Sequence, residues 1–182
     1  EGAAYALCRP PGHHVTRTAY GGSCYLNNAA VAAEALRRTY SRVAVLDVDA
    51  HHGNGTQEIF WDREDVQVAS VHVDPAAGWF PHFLGFADET TGSNLNLPLA
   101  PGTGDDGWLS AVGKAAEWIY AEELVVSLGV DAAASDPESP LRVSADGFRV
   151  AGQIVGAFGL PTVLVQEGGY DLETLGPLVL EF

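Results

Sequence analysis

The sequence predicts an α/β domain built on a mostly parallel sheet, and two observations carry this prediction. Short runs of β-branched and other apolar residues recur along the chain, as expected for parallel strands that are covered on both faces. Segments with helical spacing separate these runs, and such alternation of strand and helix is typical of α/β domains. The chain has 182 residues, 47% of them hydrophobic and 18% charged, which is enough for a single domain with a substantial core.

Four apolar runs are the predicted strands, and polar residues lie in or directly after each of them. The runs occupy residues 43–48, 66–73, 124–130 and 162–165. The first leads into DVDAHHGNG, the second contains a serine and a histidine, the third leads into DAAASDP, and the fourth leads into QEGGY. Because ligands bind outside the carboxyl ends of the strands in open parallel sheets, we expect the functional site at this edge of the sheet.

Helical patterns separate the predicted strands, at residues 27–40, 107–122 and 145–158. The first pattern begins with Asn27 and Asn28, either of which could serve as the N-cap of a helix. Residues 75–107 are rich in Gly, Pro, Asp and Thr. We therefore predict a loop there, longer than an ordinary connector.

The charge of the chain limits the kind of partner that it can bind. The chain carries 24 acidic and 9 basic residues, a formal net charge of −15, which argues against nucleic acid and favours a cationic ligand. No apolar run reaches the length of a membrane span, so we expect no membrane partner. Two cysteines do not make a disulfide framework. We therefore expect reduced thiols and a cytoplasmic protein.

The stretch VAVLDVDAHHGNGTQ concentrates titratable side chains at the end of the first predicted strand. Asp49 and His51 are two residues apart, so their side chains point to the same side of an extended segment. A carboxylate and an imidazole that converge in this way suit zinc, which takes three protein ligands at a catalytic site. The stretch SLGVDAAASDP offers Asp131 and Asp136 as the third ligand, and the residues alone leave both open. The alternative interpretation is a capping aspartate beside a surface histidine.

Two further motifs contain candidate catalytic residues. RPPGHH places His13 and His14 in a Pro/Gly loop, where they could be two ligands, an acid/base pair or part of a solvated loop. QEGGY places Tyr170 after two flexible glycines, so its hydroxyl could reach a bound carbonyl, or the motif could simply mark a turn. Taken singly, neither motif decides between a catalytic and a structural role.

Together, and in their order along the chain, these motifs resemble the histone deacetylase superfamily. The resemblance rests on RPPGHH, GGSCYLNNAA, VAVLDVDAHHGNGTQEIF, SLGVDAAASDP and VQEGGYDL. The segments FPHFLGFADET and NLNLPLAPGTGD are most similar to bacterial acetylpolyamine amidohydrolases. The resemblance implies the arginase/deacetylase fold. It also implies a single catalytic domain over residues 1–182, without the N-terminal part of the family's domain.

The resemblance implies two bound cations. One is a catalytic zinc ion, whose ligands would be Asp49, His51 and Asp136. The other is a structural potassium ion, whose site would combine side chains and backbone carbonyls of Asp47, Asp49, His51, Ser70 and Val71.

Catalytic roles also follow from the resemblance. His14 would be the general base that deprotonates the attacking water and then the acid that protonates the leaving amine, with His13 as its electrostatic neighbour. Asp47 would orient His13. Asn54 would orient His14 in the same way. Tyr170 would donate to the substrate carbonyl and to the oxyanion formed from it. The histidine roles agree with the chemistry of the group, because histidine titrates near neutrality and can take and return a proton.

The substrate that the resemblance implies is a small cationic acetylated amide, above all an N-acetylated polyamine. The residues implied at the substrate are Ser23, Phe83 and Gly168. Family members usually have an aromatic residue where Ser23 stands, so we expect a thinner and more polar wall there. A protein lysine deacetylase and an acyl-binding module without turnover are the alternative functions, and self-association of the chain is left open.

Overall fold

A computed structural model describes residues 2–182, and its strands form one parallel sheet. The strands are β1 (Ala3–Ala6), β2 (Val43–Asp47), β3 (Val66–Val73), β4 (Asn94–Leu99), β5 (Glu123–Leu128) and β6 (Thr162–Gln166). Their order across the sheet is β1-β6-β5-β2-β3-β4, and every neighbouring pair is parallel. The predicted parallel α/β architecture is therefore confirmed.

The described residues also form helices, which cover both faces of the sheet. The α-helices are α1 (Asn28–Leu36), α2 (Asn54–Phe60), α3 (Asp105–Trp118), α4 (Ala145–Gly156) and α5 (Leu175–Glu181). The side chain of Asn27 accepts the N–H of Ala30 at 2.9 Å, so Asn27 is the N-cap of α1. Across residues 2–182, no helix combines the length and the apolar composition that crossing a membrane requires.

The strands distribute their apolar side chains between two cores, one on each face of the sheet. All five residues of β2 are buried. Val43 and Val45 pack with Phe60 of α2 in one core. Ala44 and Leu46 belong to the other core, which also contains residues of α3, α4 and α5. Burial on both faces explains why the strand reads as a continuous apolar run rather than an alternating one.

The predicted strands agree closely with the observed ones, whereas the connecting segments differ more. The strand predicted at residues 66–73 has the observed limits, and the other three end within two residues of the observed ends. The helices predicted at 27–40, 107–122 and 145–158 correspond to α1, α3 and α4 but end two to four residues earlier than predicted. Strand β1 and helices α2 and α5 were not predicted.

The loop predicted over residues 75–107 is wrong. The segment contains short 3₁₀ helices at Pro75–Ala77 and Ala87–Glu89, and it contains β4. Strand β4 lies at the edge of the sheet beside β3. An edge strand can include a proline such as Pro98, because it has one side without ladder partners.

The strand order places a reversal between β2 and β5. From β2 the chain continues through β3 to β4 on one side of the sheet, and from β5 it continues to β6 on the other side. Neighbouring strands whose connections leave in opposite directions open a crevice outside their carboxyl ends. The residues that follow β2 and β5 are therefore the first place to look for a ligand site.

Candidate active site

Three candidate metal ligands converge at the carboxyl ends of β2 and β5. Asp49 and His51 follow β2, Asp131 follows β5, and one ligand atom of each lies within 4.8 Å of the others. His51 Nδ1 is 2.9 Å from Asp131 Oδ2 and 3.3 Å from Asp49 Oδ1. Both aspartates are buried and His51 is partly buried. The crevice between β2 and β5 thus holds two carboxylates and one imidazole.

The third ligand that the family resemblance implies is Asp136, and this assignment stays a prediction. Asp47 and Ser127 are partners in the pairing of β2 with β5, so counting four residues onward from each reaches His51 and Asp131, which lie side by side. Asp136 lies beyond a turn in the chain, and its carboxylate accepts backbone N–H groups of the loops around the site.

The electrostatics of this donor set fit a divalent metal ion. Burial raises the pKa of Asp131 to about 7, and the negative charge of Asp49 adds to this rise. Burial acts to lower the pKa of His51, but the carboxylates of Asp131 and Asp49 raise it to about 10. The ion pairs of the two aspartates are with histidines. Buried carboxylates that repel each other and face an imidazole suit a bound cation, and zinc accepts this combination of oxygen and nitrogen ligands.

His13 and His14 lie beside this cluster, each in contact with the residue expected to orient it. Their ring centroids are 4.0 Å apart. His13 Nδ1 lies 2.9 Å from Asp47 Oδ2. His14 Nδ1 lies 2.9 Å from Asn54 Oδ1. The structure therefore brings Asp47 and Asn54 to the positions that their expected roles require.

The two histidines differ in charge. Burial lowers the pKa of His14 well below its usual value, and the neighbouring His13 lowers it further. Burial also acts to lower the pKa of His13, but the carboxylates of Asp49 and Asp47 outweigh it and raise this pKa well above the usual value. Because Asn54 Oδ1 accepts a hydrogen bond from His14 Nδ1, the free lone pair of His14 is on Nε2. The pair combines a cation at His13 with a neutral base at His14.

A cleft of about 410 Å³ opens over the site. It is lined by His14, Gly22, Ser23, His51, Phe80, Glu138 and Tyr170. The ring of Phe80 meets the ring of His14 edge-on, with centroids 4.9 Å apart. Phe80 is thus the phenylalanine that lines the cleft, and Phe83, expected at the substrate, packs against it and is 55% exposed. A contact of Phe83 with the substrate stays a prediction.

Ser23 lies in the wall of the cleft, in a turn that brings the backbone close to His14. Gly22 and Ser23 both have left-handed backbone conformations, with φ of 54° and 61°. A Cβ at Gly22 would lie 2.2 Å from Cδ2 of His14, so this position requires glycine. Gly168, whose contact with the substrate stays a prediction, donates its N–H to the candidate ligand Asp49, at 2.8 Å from Oδ2.

The residues expected at potassium lie next to one another on β2 and β3. Asp47 and Ser70 are partners in the pairing of these strands, and both are buried. Asp47 Oδ1 accepts the N–H of Asp49 at 3.1 Å, and Ser70 Oγ lies 2.8 Å from His72 Nδ1. Val71 follows Ser70 in β3. These contacts do not test the potassium assignment, which stays a prediction.

Two residues near the site were not predicted: Glu138 and Glu167. Glu138 lines the cleft, and its position two residues after the candidate ligand Asp136 could have indicated that it lies near the site. Glu167 is fully buried, and its Oε2 accepts the N–H groups of Gly12 at 2.6 Å and His13 at 3.1 Å. No local sequence pattern predicts this contact, because Glu167 follows β6 and the loop that it contacts lies more than 150 residues earlier in the chain.

Comparison with known proteins supports the family resemblance and the fold. Residues 1–182 match the family described as the histone deacetylase domain. The chain is 50% identical over 181 residues to the acetylpolyamine amidohydrolase of Burkholderia pseudomallei, covering 95% of this chain and 53% of that protein. It is 41% identical over 184 residues to a histone deacetylase-like amidohydrolase of Pseudomonas aeruginosa, covering 92% of this chain and 48% of that protein.

The fold is likewise similar to that of solved relatives. The crystal structure of acetylpolyamine aminohydrolase from Burkholderia pseudomallei gives a TM-score of 0.96 at 48% identity, covering 99% of this chain and 55% of that chain. The predicted deacetylase fold is therefore confirmed. The chain spans about half the length of the relatives that it matches.

Proposed function

The chain belongs to the histone deacetylase family, and we propose that it is a zinc-dependent amidohydrolase that removes acetyl groups from small cationic amides such as N-acetylated polyamines. One observation carries this proposal. The candidate metal ligands Asp49 and His51 lie together at the switch point of the sheet, and the cleft above them is lined by His14 and Tyr170. The arrangement has the parts that amide hydrolysis needs: a Lewis acid site, a base and an oxyanion donor.

Asp49, His51 and Asp136 would hold the zinc ion, as the family resemblance implies. When bound, zinc supplies a Lewis acid that polarises the amide carbonyl and makes water easier to deprotonate. Three protein ligands leave a coordination position for water or substrate, as at other catalytic zinc sites. Contacts around the ligands orient them: Gly168 donates its N–H to Asp49 Oδ2, and Asp131 Oδ2 lies 2.9 Å from His51 Nδ1.

His14 would move the proton. Its Nε2 is the free acceptor, so this atom would take a proton from the attacking water and later return it to the leaving amine. Burial keeps His14 neutral before the attack, as a base must be. His13, held by Asp47, places a positive charge beside the reacting groups, where negative charge develops.

Tyr170 would donate its hydroxyl to the substrate carbonyl oxygen. It lines the same cleft as His14 and His51. Burial raises the pKa of Tyr170, and the negative charges of Asp49 and Asp131 raise it further, so the hydroxyl keeps its proton and stays a donor. A single donor of this kind is typically worth about 3–4 kcal/mol in the transition state.

Glu138 supports a cationic substrate. It is the one Asp or Glu residue among the described residues that line the cleft, and it is exposed there. A carboxylate at the mouth attracts the free ammonium group of an acetylated diamine. The net charge of −15 acts in the same direction at longer range.

We also propose a structural potassium ion at Asp47, Ser70 and the carbonyl of Val71, supported by their neighbouring positions on β2 and β3. Potassium would offset the negative charge of a buried carboxylate there. Cys8 and Cys24 are both free thiols, which suits the reducing cytoplasm in which we propose that the protein acts.

Hydrolysis of N-acetylputrescine and of a neutral acetyl-lysine peptide by the purified, zinc-loaded protein tests this function. We expect a higher kcat/KM for N-acetylputrescine, a difference that narrows as salt is added, and one zinc ion per chain. Asp136→Ala should lose both zinc and activity. The matched control is Asp146→Ala, which removes a carboxylate that is 81% exposed on α4 and should change neither.

Two outcomes would contradict the proposal. A zinc-loaded protein that hydrolyses neither amide would overturn the enzymatic function and leave an acyl-binding module. Faster hydrolysis of the neutral peptide, insensitive to salt, would overturn the substrate class and leave a protein lysine deacetylase.

A further inference from the structure

Glu167 is a fully buried carboxylate that the proposed mechanism does not use. It follows β6, and its Oε2 accepts the N–H of Gly12 at 2.6 Å and the N–H of His13 at 3.1 Å. Among the residues that the structure describes, its other oxygen, Oε1, has no hydrogen-bond partner. Both hydrogen bonds therefore use one oxygen, and both go to the segment that carries the paired histidines.

The backbone of Glu167 is fixed to the sheet. Its N–H donates to the carbonyl oxygen of Leu128 at 2.9 Å, which continues the pairing of β5 with β6 by one residue. Its own carbonyl oxygen accepts a hydrogen bond from the side chain of Arg9 at 3.2 Å. The carboxylate therefore reaches the histidine segment from a fixed point at the end of two central strands.

The histidine segment depends on such contacts for its path. Residues 7–27, all of which the structure describes, form neither a helix nor a strand. Hydrogen bonds hold the backbone of His13 on two sides: its N–H bonds to Glu167, and its carbonyl oxygen accepts the N–H groups of Gly55 at 3.0 Å and Thr56 at 3.2 Å. Removal of the carboxylate would leave only the contacts with α2. Bonds from backbone N–H groups to an ionised carboxylate are about twice as strong as those between neutral groups, so the loss is substantial.

The position of this backbone decides where both histidine rings lie. The side-chain contacts with Asp47 and Asn54 orient the rings of His13 and His14, whereas Glu167 holds the backbone from which the rings project. The free acceptor of His14 is its Nε2, which must lie within hydrogen-bond reach of the attacking water. A shift of the backbone at His13 would move this atom even if the ring kept its orientation.

We propose that Glu167 is a positioning residue for the general base: it fixes the backbone at Gly12 and His13 so that Nε2 of His14 stays at the water. This inference rests on the proposed function, because it assigns Glu167 to the proton transfer of that reaction. Glu167 acts through the histidines and does not touch the substrate.

The size of the effect is bounded by the contribution of the base. A misplacement of about 1 Å in a catalytic group can cost about 10²-fold in rate. A positioned general base contributes about 10²–10⁴-fold. Loss of the acceptor at Glu167 should therefore lower kcat by about 10²-fold and should not exceed the effect of His14→Ala.

Glu167→Met and Glu167→Gln form a matched pair that tests the proposal on the zinc-loaded protein. Methionine has nearly the volume of the parent side chain but no oxygen acceptor, so kcat should fall by about 10²-fold. KM should change by less than about threefold, and one zinc ion per chain should remain. Glutamine keeps one acceptor oxygen and places its amide group where Oε1 has no partner, so kcat should stay within about tenfold of the parent. Glu117→Ala, which removes an exposed carboxylate on α3, is the control and should change neither.

A double-mutant cycle tests whether Glu167 acts through the base. In the His14→Ala background, Glu167→Met should lower kcat by no more than about tenfold, because the group through which most of the effect acts is absent. If the methionine variant does not fold, Glu167→Asp carries the same comparison, since it keeps the carboxylate but is one methylene too short to reach both N–H groups.

Four results would overturn the proposal. An unchanged kcat, or the same fall with and without His14, would show that Glu167 does not act through the base. A rise in KM at constant kcat would place its effect on substrate binding instead. A glutamine variant as slow as the methionine variant would show that charge, not the acceptor, is what Glu167 contributes. Loss of zinc from the methionine variant would place the effect at the metal. In each of these cases the parent protein is active, so the proposed function stands; a parent that is inactive on every acetylated amine would refute the proposed function itself.

Discussion

Replacement of Gly168 by alanine should weaken zinc binding although Gly168 is not itself a ligand. Gly168 follows β6, and its N–H donates to Asp49 Oδ2. A Cβ at this position would lie 2.4 Å from Asp131 Oδ2 and 2.6 Å from Asp49 Oδ2, whereas real Cβ atoms essentially never approach closer than 3.0 Å. The φ of Gly168 is outside the left-handed region, so steric contact with the two carboxylates is the main effect of the substitution.

The magnitude follows from these distances. To reach 3.0 Å, the oxygen of Asp131 must move by 3.0 − 2.4 = 0.6 Å and that of Asp49 by 3.0 − 2.6 = 0.4 Å. Metal–ligand distances tolerate deviations of about 0.2 Å. Disturbing the groups that hold metal ligands typically costs about 10–100-fold in metal affinity. We therefore expect the zinc dissociation constant of Gly168→Ala to rise at least about tenfold, which is about 1.4 kcal/mol.

Competition with a chromophoric chelator measures this constant directly on the purified protein. The matched control is Gly113→Ala in α3, where an added Cβ meets no atom within 4 Å; its zinc affinity should be that of the parent. Zinc affinities within about twofold of each other for Gly168→Ala and the parent would refute the assignment of Asp49 and His51 to zinc, because the substitution displaces an oxygen of Asp49 and the carboxylate that contacts His51.

Three other substitutions probe the oxyanion donor, the mouth of the cleft and the stability of the fold. Tyr170→Phe should lower kcat by about 10²–10³-fold while the bound zinc stays at one ion per chain, and near-parental turnover would remove Tyr170 from the mechanism. Glu138→Gln should raise KM for N-acetylputrescine several-fold at low salt and leave the neutral peptide unaffected, whereas equal changes for both substrates would show that charge is not what Glu138 contributes. Gly113→Ala fills open space inside α3 and should raise the free energy of unfolding by roughly 0.8–1 kcal/mol in urea denaturation; an unchanged or lower midpoint would contradict the helical geometry there.

The central strands could be predicted from the sequence because their environment is uniform. Every residue of β2 and β5 is buried, so most of their residues are apolar and follow one another without alternation. Strand β4 differs, since Asn94 and Asn96 alternate with leucines and point to a buried polar partner. Both side-chain amides donate to Gln57 Oε1, at 3.1 Å and 2.8 Å. The sequence predicted a loop at this position because the acceptor of these amides, Gln57, is nearly 40 residues away.

The aromatic wall of the cleft shows a similar limit. The segment around Phe80 and Phe83 could be placed near the substrate from its motif, but which ring faces the cleft depends on the path of the backbone after β3. In the structure, Phe80 lines the cleft and contacts the ring of His14, whereas Phe83 packs against Phe80. Two phenylalanines three residues apart in an irregular segment have no periodicity that could decide between them.

The third metal ligand shows what strand register can and cannot decide. Parallel strands advance at the same rate per residue, so residues equally far beyond a register pair stay side by side while both segments remain extended. The pair Asp47 and Ser127 sets that count and reaches His51 and Asp131, whose Nδ1 and Oδ2 atoms are 2.9 Å apart. Asp136 lies five residues further on, in a turn whose path the register does not set, and its Oδ2 accepts the N–H of Tyr170 at 2.6 Å. Register therefore explains why Asp131 is beside His51, whereas the assignment of Asp136 to zinc depends on the family resemblance. Zinc content separates the two: we expect it to be lost in Asp136→Ala, and retention of stoichiometric zinc in that variant would contradict the assignment.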